Sequence, residues 1–162
     1  MRRVLALVLA CVLPLPAWAL SCMPHTVEGA YAEADAAAER FVVVRGVLEF
    51  DKRLLPKVDF ARQMDTPPMT LIPARLRGEA LRKDGFTAPF VRELTLAVAC
   101  YGPWCAQPES GKEVLAFVEQ GMAGDVLATN PCGGYLFAEP SAELIRRVQA
   151  CFAGAECVPE TR

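Results

Sequence analysis

The stretch FVVVRGVLEF, residues 41–50, carries the clearest structural signal in the chain. β-branched and aromatic side chains dominate it, and such residues favour a strand. Gly46 lies in its middle and predicts a bulge or a sharp bend, a feature typical of curled sheets. Residues 41–50 therefore predict one strand of a curved sheet.

Two segments of different character flank this strand. Residues 28–40 (EGAYAEADAAAER) are rich in alanine and short of β-branched residues, and Thr26 precedes them as a candidate N-cap, so we expect a short helix. Residues 51–68 carry several prolines and charges without a clean period, which indicates a long connection with room for a helical turn. The helix is thus expected to lead directly into the strand.

Four further segments have strand patterns: residues 69–82, 91–100, 113–119 and 126–129. Pro73 and Gly78 restrict the first of these to a bent or edge strand. The last two are joined by a GMAGD turn at Gly121–Asp125 and form a predicted hairpin. The chain is therefore expected to contain about five short strands.

The chain closes with a predicted helix that begins after Ser141 and ends at Gly154. Its apolar residues share one helical face: Leu144, Ile145, Val148, Cys151 and Phe152. Five short strands with bend-making glycines and a helix at each end predict a mainly β (α+β) fold, a small closed or partly open barrel. A sandwich would need more strands.

The first nineteen residues have the three zones of a cleavable export signal. Arg2 and Arg3 supply a positive start, residues 4–15 an apolar run, and residues 17–19 (AWA) a small-residue cleavage site. The apolar run is about a dozen residues, and a membrane span needs about 18 to 20. We therefore expect residues 1–19 to be removed and residues 20–162 to form one secreted or periplasmic domain without stable membrane insertion.

Charge and the polar residues exclude several classes of function. The signal removes two of the 17 basic residues and none of the 19 acidic ones, so the mature chain would carry a net charge of −4, which disfavours nucleic acid as a partner. His25 is the only histidine, no serine lies in a glycine-flanked elbow, and the acids are scattered rather than paired. We expect no enzymatic activity and no cofactor.

Cysteine usage predicts a stapled fold. Cys11 would leave with the signal, and the six remaining cysteines are Cys22, Cys100, Cys105, Cys132, Cys151 and Cys157. An even set in an exported chain of this size indicates a disulfide framework, and six cysteines admit fifteen pairings. A single histidine and no cysteines with a two-residue gap argue against a zinc site, so no metal is expected.

Six pieces of sequence together form a recognisable order: Leu20–His25 (LSCMPH), Ala34-Asp35 ahead of Val42–Val47 (VVVRGV), Arg77-Gly78, Ala99–Gly102 (ACYG), Glu113–Phe117 (EVLAF) and Ala128–Cys132 (ATNPC). In order and spacing they resemble the netrin-like module, specifically the inhibitory domain of the tissue inhibitors of metalloproteinases. The resemblance covers most of residues 21–152. It implies a five-stranded, Greek-key barrel of the OB-fold type, with an N-terminal ridge pinned by disulfides to a neighbouring loop.

The resemblance also bears on function. In that family the free amine and carbonyl of the first cysteine chelate the protease's zinc, and a disulfide holds them rigid. Leu20 takes that position here, and its amine would have to be ordered without a covalent brace. The chain is therefore expected to be a non-enzymatic module that binds a protein partner outside the cytoplasm. Metalloproteinase inhibition through the Leu20 amine is the alternative.

The same resemblance implies a disulfide pairing. Cys22 would pair with Cys132 and close a loop of more than 100 residues, the closure that constrains the unfolded state most. The remaining pairs would then be local, Cys100 with Cys105 and Cys151 with Cys157. A lipid-anchored envelope protein is a further alternative, because a cysteine just after an export signal can be lipidated. Lipidation of Cys22 would leave an odd number of cysteines.

Two surfaces are candidates for binding. The N-terminal ridge comprises Leu20, Ser21, Cys22, Met23 and Pro24. The aromatic loop, Cys100–Cys105, carries Tyr101 and Trp104, residue types that dominate binding hot spots. The alternative for these two rings is that they cap the end of the barrel.

A group of basic residues is a lesser candidate. Arg75, Arg77, Arg82 and Lys83 lie within nine residues and would suit a sulfated polymer or lipid headgroups. The alternative is a solvated strand face.

Overall fold

The computed structural model describes residues 20–155 and 157–158, and the predicted export signal at residues 1–19 lies outside them. The chain is mainly β. Its elements are α1 (Val27–Ala36), β1 (Arg40–Phe50), β2 (Met69–Arg82), β3 (Gly85–Tyr101), β4 (Trp104–Cys105), β5 (Lys112–Gly121), β6 (Gly124–Thr129), β7 (Leu136–Ala138) and α2 (Ala142–Phe152). Two 3-10 helices, Lys52–Leu54 and Phe60–Asp65, lie in the β1–β2 connection.

Five of the strands pair in a closed ring. β1 pairs antiparallel with β2, and β2 with β3. β3 then runs parallel to β6, which pairs antiparallel with β5, and β5 returns to β1. Val44 of β1 therefore lies opposite both Ala80 of β2 and Ala116 of β5. The curved sheet expected from residues 41–50 is present, and β4 and β7 extend it at the ends of β3 and β5.

The inside of the ring forms one hydrophobic core. Alternate side chains of each strand point inward, as the period of a strand requires, so Ile72, Ala74 and Leu76 of β2 are buried while their neighbours are exposed. Leu48 and Leu96 are fully buried in the same core. Burying each of these large aliphatic side chains contributes about 1.5–3 kcal/mol, which makes this core a main source of stability.

A second core lies between the two helices and the outer face of the sheet. Val27 of α1 and Val148 of α2 pack with Leu115 and Phe117 of β5. The buried Glu28 carboxylate links the helices through the Arg147 guanidinium, with two nitrogen–oxygen distances of 2.5 and 2.6 Å. The amphipathic face predicted for the C-terminal helix thus has its partner on the sheet.

Gly46 has a different structural role in β1 from the bulge that the sequence suggested. Pairing continues through Gly46 on both sides without a bulge, and Gly46 lies opposite Gly78. A Cβ on Gly46 would overlap the carbonyl oxygen of Arg77, and one on Gly78 would overlap that of Arg45. The two glycines therefore allow β1 and β2 to approach closely, so the expectation of a bulge at Gly46 is wrong.

Strand β2 is also more central than expected. It pairs with β1 through Ala74–Ala80 and with β3 along its whole length, so it is not an edge strand. Pro73 lies opposite Thr95 of β3 and one residue beyond the segment that pairs with β1, so on the β1 side no partner strand needs its missing N–H.

Three disulfides staple these elements: Cys22–Cys132, Cys100–Cys105 and Cys151–Cys157. These are the pairs that the resemblance implies. The first spans 110 residues of sequence, whereas the others span 5 and 6. Such a framework is typical of proteins that fold in an oxidising compartment. Among the helices of residues 20–155, none has the length and apolar character to cross a bilayer.

Candidate functional site

The N-terminal ridge is held at its far end by three kinds of contact. Cys22 is bonded to Cys132, with the two Cα atoms 5.4 Å apart. The His25 ring stacks on the Phe137 ring at a centroid distance of 4.0 Å, and its Nε2 donates to the Gly134 carbonyl at 2.8 Å. Thr26 then caps α1 by accepting a hydrogen bond from the Gly29 amide. The ridge is therefore rigid from Cys22 onward.

Gly133 leaves the space that the His25 ring occupies. Its φ of 110° lies in a region that L residues rarely adopt, and a Cβ there would overlap the imidazole of His25. The backbone at residues 133–134 thus packs against, and accepts a hydrogen bond from, the imidazole of His25, the only histidine of the chain. No role is expected for His25 from the sequence, and in the structure its ring anchors the ridge.

The aromatic loop is a hairpin closed by the Cys100–Cys105 disulfide. Tyr101 and Trp104 face each other in the β3–β4 pairing, and Gly102 supplies the positive φ of the turn. The Ala106 amide donates to the Ala99 carbonyl at 3.0 Å and extends the hairpin. Tyr101 is 45% exposed and Trp104 is 41% exposed, so a large part of each ring faces solvent.

The structure brings the ridge and the aromatic loop together. Leu20 and Trp104 line one groove of about 480 Å³, with Phe60 of the β1–β2 connection on its border. The other lining residues are Pro56, Val58, Pro103, Cys105, Gln107 and Pro131. None of them is charged, and Gln107 is the only one whose side chain can make a strong hydrogen bond. The groove therefore suits an uncharged apolar group.

The other predicted site residues lie around this groove rather than in it. Met23, 86% exposed, and Pro24 border a separate depression of about 180 Å³ beside His25. Ser21 is exposed, and Tyr101 lies across the hairpin from Trp104 without lining the groove. Of the seven predicted residues, the structure thus places Leu20, Trp104 and no other in the lining of this groove, where the disulfide-bonded Cys105 adjoins Trp104.

Phe60 is the functional candidate that the sequence pattern did not single out. It is 71% exposed and begins the second 3-10 helix of the β1–β2 connection, where Asp59 accepts from the Ala61 amide as its cap. From the sequence, residues 51–68 are expected to form a long connection with room for a helical turn, and none of them is singled out for binding. The available signal was Val58 and Phe60, two apolar residues on either side of Asp59 in a segment that contains several prolines.

The charges near the loop and on β2 are largely paired. Arg62 contacts Asp59 at 2.9 Å beside Phe60. On the sheet, Arg75 contacts Glu93 at 3.4 Å and Arg77 contacts Glu49 at 2.6 Å. These two arginines of the predicted basic group therefore belong to a mixed-charge strand face, while Arg82 and Lys83 lie at the β2–β3 turn.

Within residues 20–155 and 157–158, no three His, Cys, Asp or Glu side chains come together as a metal site would require. Comparison of the chain with protein-family models, with characterised proteins and with solved structures gives no significant match.

Proposed function

We propose that this chain is an exported, non-enzymatic binding module of the netrin-like type, which holds a protein partner through the groove between the N-terminal ridge and the aromatic loop. One observation carries the proposal. Leu20 and Trp104 are 84 residues apart in sequence and line the same groove; Leu20 lies two residues before the disulfide-bonded Cys22, and Trp104 lies next to the disulfide-bonded Cys105. A disulfide near each of the two residues restricts movement of the groove walls, and such preorganisation lowers the entropic cost of binding.

The strand order supports an OB-fold-like barrel for this module. The ring starts with three consecutive antiparallel strands, β1 to β3. A hairpin, β5 to β6, then closes it so that β6 runs parallel to β3 and β5 meets β1. A five-stranded closed barrel with this connection is the arrangement expected of an OB-fold. The netrin-like resemblance implies the same fold.

The groove's chemistry indicates the kind of contact that the partner makes. The side chains of its lining are uncharged and mostly apolar, and Trp104 offers both an aromatic face and an indole N–H. Prolines at positions 56, 103 and 131 limit backbone movement on the walls. A large apolar side chain of the partner can therefore be buried there at a small cost in ordering the module.

A pull-down from the exported fraction tests this proposal. The bait is the processed protein, and the test variant combines Leu20→Asp with Trp104→Ala. We expect the test variant to lose the captured partner, because both apolar walls of the groove are removed. Met122→Ser is the matched control, since Met122 is fully exposed on the β5–β6 turn and lies outside the groove. Equal capture by the test variant would refute the groove as the binding site.

Metalloproteinase inhibition is the second candidate function. It is favoured by the disulfide at Cys22, which fixes the chain two residues after Leu20 and so limits the positions that the amine can reach once the signal is removed. Inhibition assays should compare the processed protein with a variant carrying one extra N-terminal residue. We expect the extension to abolish inhibition, because it displaces the amine from the zinc. Unchanged inhibition would exclude this mode.

A further inference from the structure

A second cavity lies between the helices and the start of the ring, and it shares no residue with the groove. It has a volume of about 310 Å³, within the range of small-molecule sites. Its floor is formed by the buried side chains Val43, Leu81 and Phe117. Tyr31 of α1 and Phe152 of α2 stand at its sides. The cavity is therefore apolar at its base and aromatic at its walls.

Four charged residues surround this apolar base: Asp35, Glu39, Arg40 and Arg82. None of them forms an ion pair with any residue in the described part of the chain, whereas eight other cations there do. Two unpaired cations and two unpaired anions at one cavity match a ligand that carries both charges.

The anionic and the cationic residues of the cavity are suited to different groups of such a ligand. Tyr31 and Asp35 lie one turn apart on α1 and both line the cavity. Burial, and after it the Asp35 carboxylate, raises the pKa of Tyr31. A carboxylate beside an aromatic ring is suited to an ammonium group, through an ion pair and a cation–π contact. Arg82 presents a planar fork of donors, the geometry that favours phosphate.

A neighbouring cavity gives the ligand additional room. It has a volume of about 690 Å³ and shares Leu81, Arg82 and Phe152 with the first. Lys83, which also lacks an ion pair with any described residue, lies on its border between Arg82 and Asp84. Arg82 therefore lines both cavities, and its guanidinium can contact a head group bound in either of them.

We propose that this cavity binds a small zwitterionic amphiphile of the alkyl phosphocholine class. Its alkyl chain lies on Leu81 and Phe117, its phosphate is bound by Arg82, and its ammonium group lies between Tyr31 and Asp35. This activity is independent of the protein partner at the groove.

Calorimetric titration of the processed, full-length protein tests the proposal with four monomeric probes: hexylphosphocholine, hexyl phosphate, hexyltrimethylammonium and free phosphocholine. Saturable binding of hexylphosphocholine is expected, with each of the other three at least about tenfold weaker, because each lacks one of the three contacts. Binding of free phosphocholine as tight as that of hexylphosphocholine would overturn the role of the apolar floor. No saturable binding of hexylphosphocholine would overturn the proposal.

Two variants and one control locate the site. Arg82→Gln and Asp35→Asn should each weaken hexylphosphocholine binding by about tenfold. Arg92→Gln is the matched control, since Arg92 is an exposed arginine of β3 that also lacks an ion pair among the described residues and lies outside both cavities. All three positions are exposed, and unchanged thermal unfolding verifies that the variants fold. Equal affinity of the Arg82→Gln and Arg92→Gln proteins would contradict the assignment.

Discussion

Asp51 shows how one exposed side chain orders the start of the connection that carries Phe60. Its carboxylate accepts a hydrogen bond from the Arg53 amide at 3.0 Å and so caps the first 3-10 helix. It also contacts the Arg53 guanidinium at 2.6 Å. These hydrogen bonds favour the charged form, and they lower the pKa of Asp51 to about 2. The cap therefore persists well into acid.

The pKa of Asp51 can be measured directly by following its carboxyl carbon in an NMR titration. We expect a value near 2. The stabilisation is present above the ordinary pKa of 3.8 and is lost as the pH falls through about 2, because the folded-state pKa is the lower one. In Arg53→Ala the side-chain partner is absent, so the value should move back toward 3.8. An unchanged low value in that variant would show that Arg53 is not the cause.

At the scale of elements, an ion pair in a largely buried position joins the two helices. Glu28 of α1 is 6% exposed and its carboxylate contacts Arg147 of α2. Both helices bury one face against β5, so the ion pair sets how they meet above the sheet. Removing the Glu28 side chain deletes a nearly buried carboxylate and the two hydrogen bonds that it accepts from Arg147.

Glu28→Ala should therefore lower the free energy of unfolding by about 1.5–3 kcal/mol, the range for hydrogen bonds to a charged group. The control is Glu143→Ala, which removes the exposed ion pair between Glu143 and Arg146 within α2 and should cost at most about 1 kcal/mol. Chemical denaturation of both variants gives the comparison. Equal losses in the two proteins would contradict a special role for the interhelical pair.

The elements that could be predicted are those with a strong local pattern. β1 has ten residues of dense β-branched and aromatic character, and α2 has a cap, an apolar face and a terminating glycine, Gly154 with φ of 83°. β4 and β7 have two and three residues, too few to show any period. They form because tertiary pairing with β3 and β5 satisfies their backbone groups, and that pairing has no local signal.

The residues of the candidate site also divide into those that could be predicted from the sequence and those that could not. Trp104 could be singled out by its type and its place between two cysteines, and Leu20 by the predicted cleavage. Phe60 could not, because its position beside Trp104 depends on how the β1–β2 connection passes the end of the ring. Gly46 was recognised as special for the wrong reason. A glycine inside a strand can mark either a bulge or the close approach of two backbones, and the sequence alone does not distinguish the two.

At the scale of the whole molecule, the disulfides differ in what they constrain. Cys22–Cys132 links the N-terminal ridge to the segment after β6, across 110 residues of sequence. Cys151–Cys157 closes a loop with a separation of only 6. Loop-closure entropy in the unfolded chain grows with the logarithm of loop length, so the long-range bond is the more stabilising of the two.

Replacing Cys22 and Cys132 together by serine should lower the free energy of unfolding by about 2 kcal/mol more than replacing Cys151 and Cys157 together. Denaturant titration of the two double variants measures the difference. The first variant should also free the ridge and so weaken partner capture at the groove. A larger loss from the local pair would contradict the entropic account.

The central claim is that the ridge and the aromatic loop form one binding surface, and photo-crosslinking tests it most directly. A photoreactive amino acid is placed at position 20, at position 104, or at position 122 as the control, and each protein is irradiated in the exported fraction. The account predicts an adduct of the same mass from positions 20 and 104 and none of that mass from position 122. Adducts of different mass from positions 20 and 104 would contradict it.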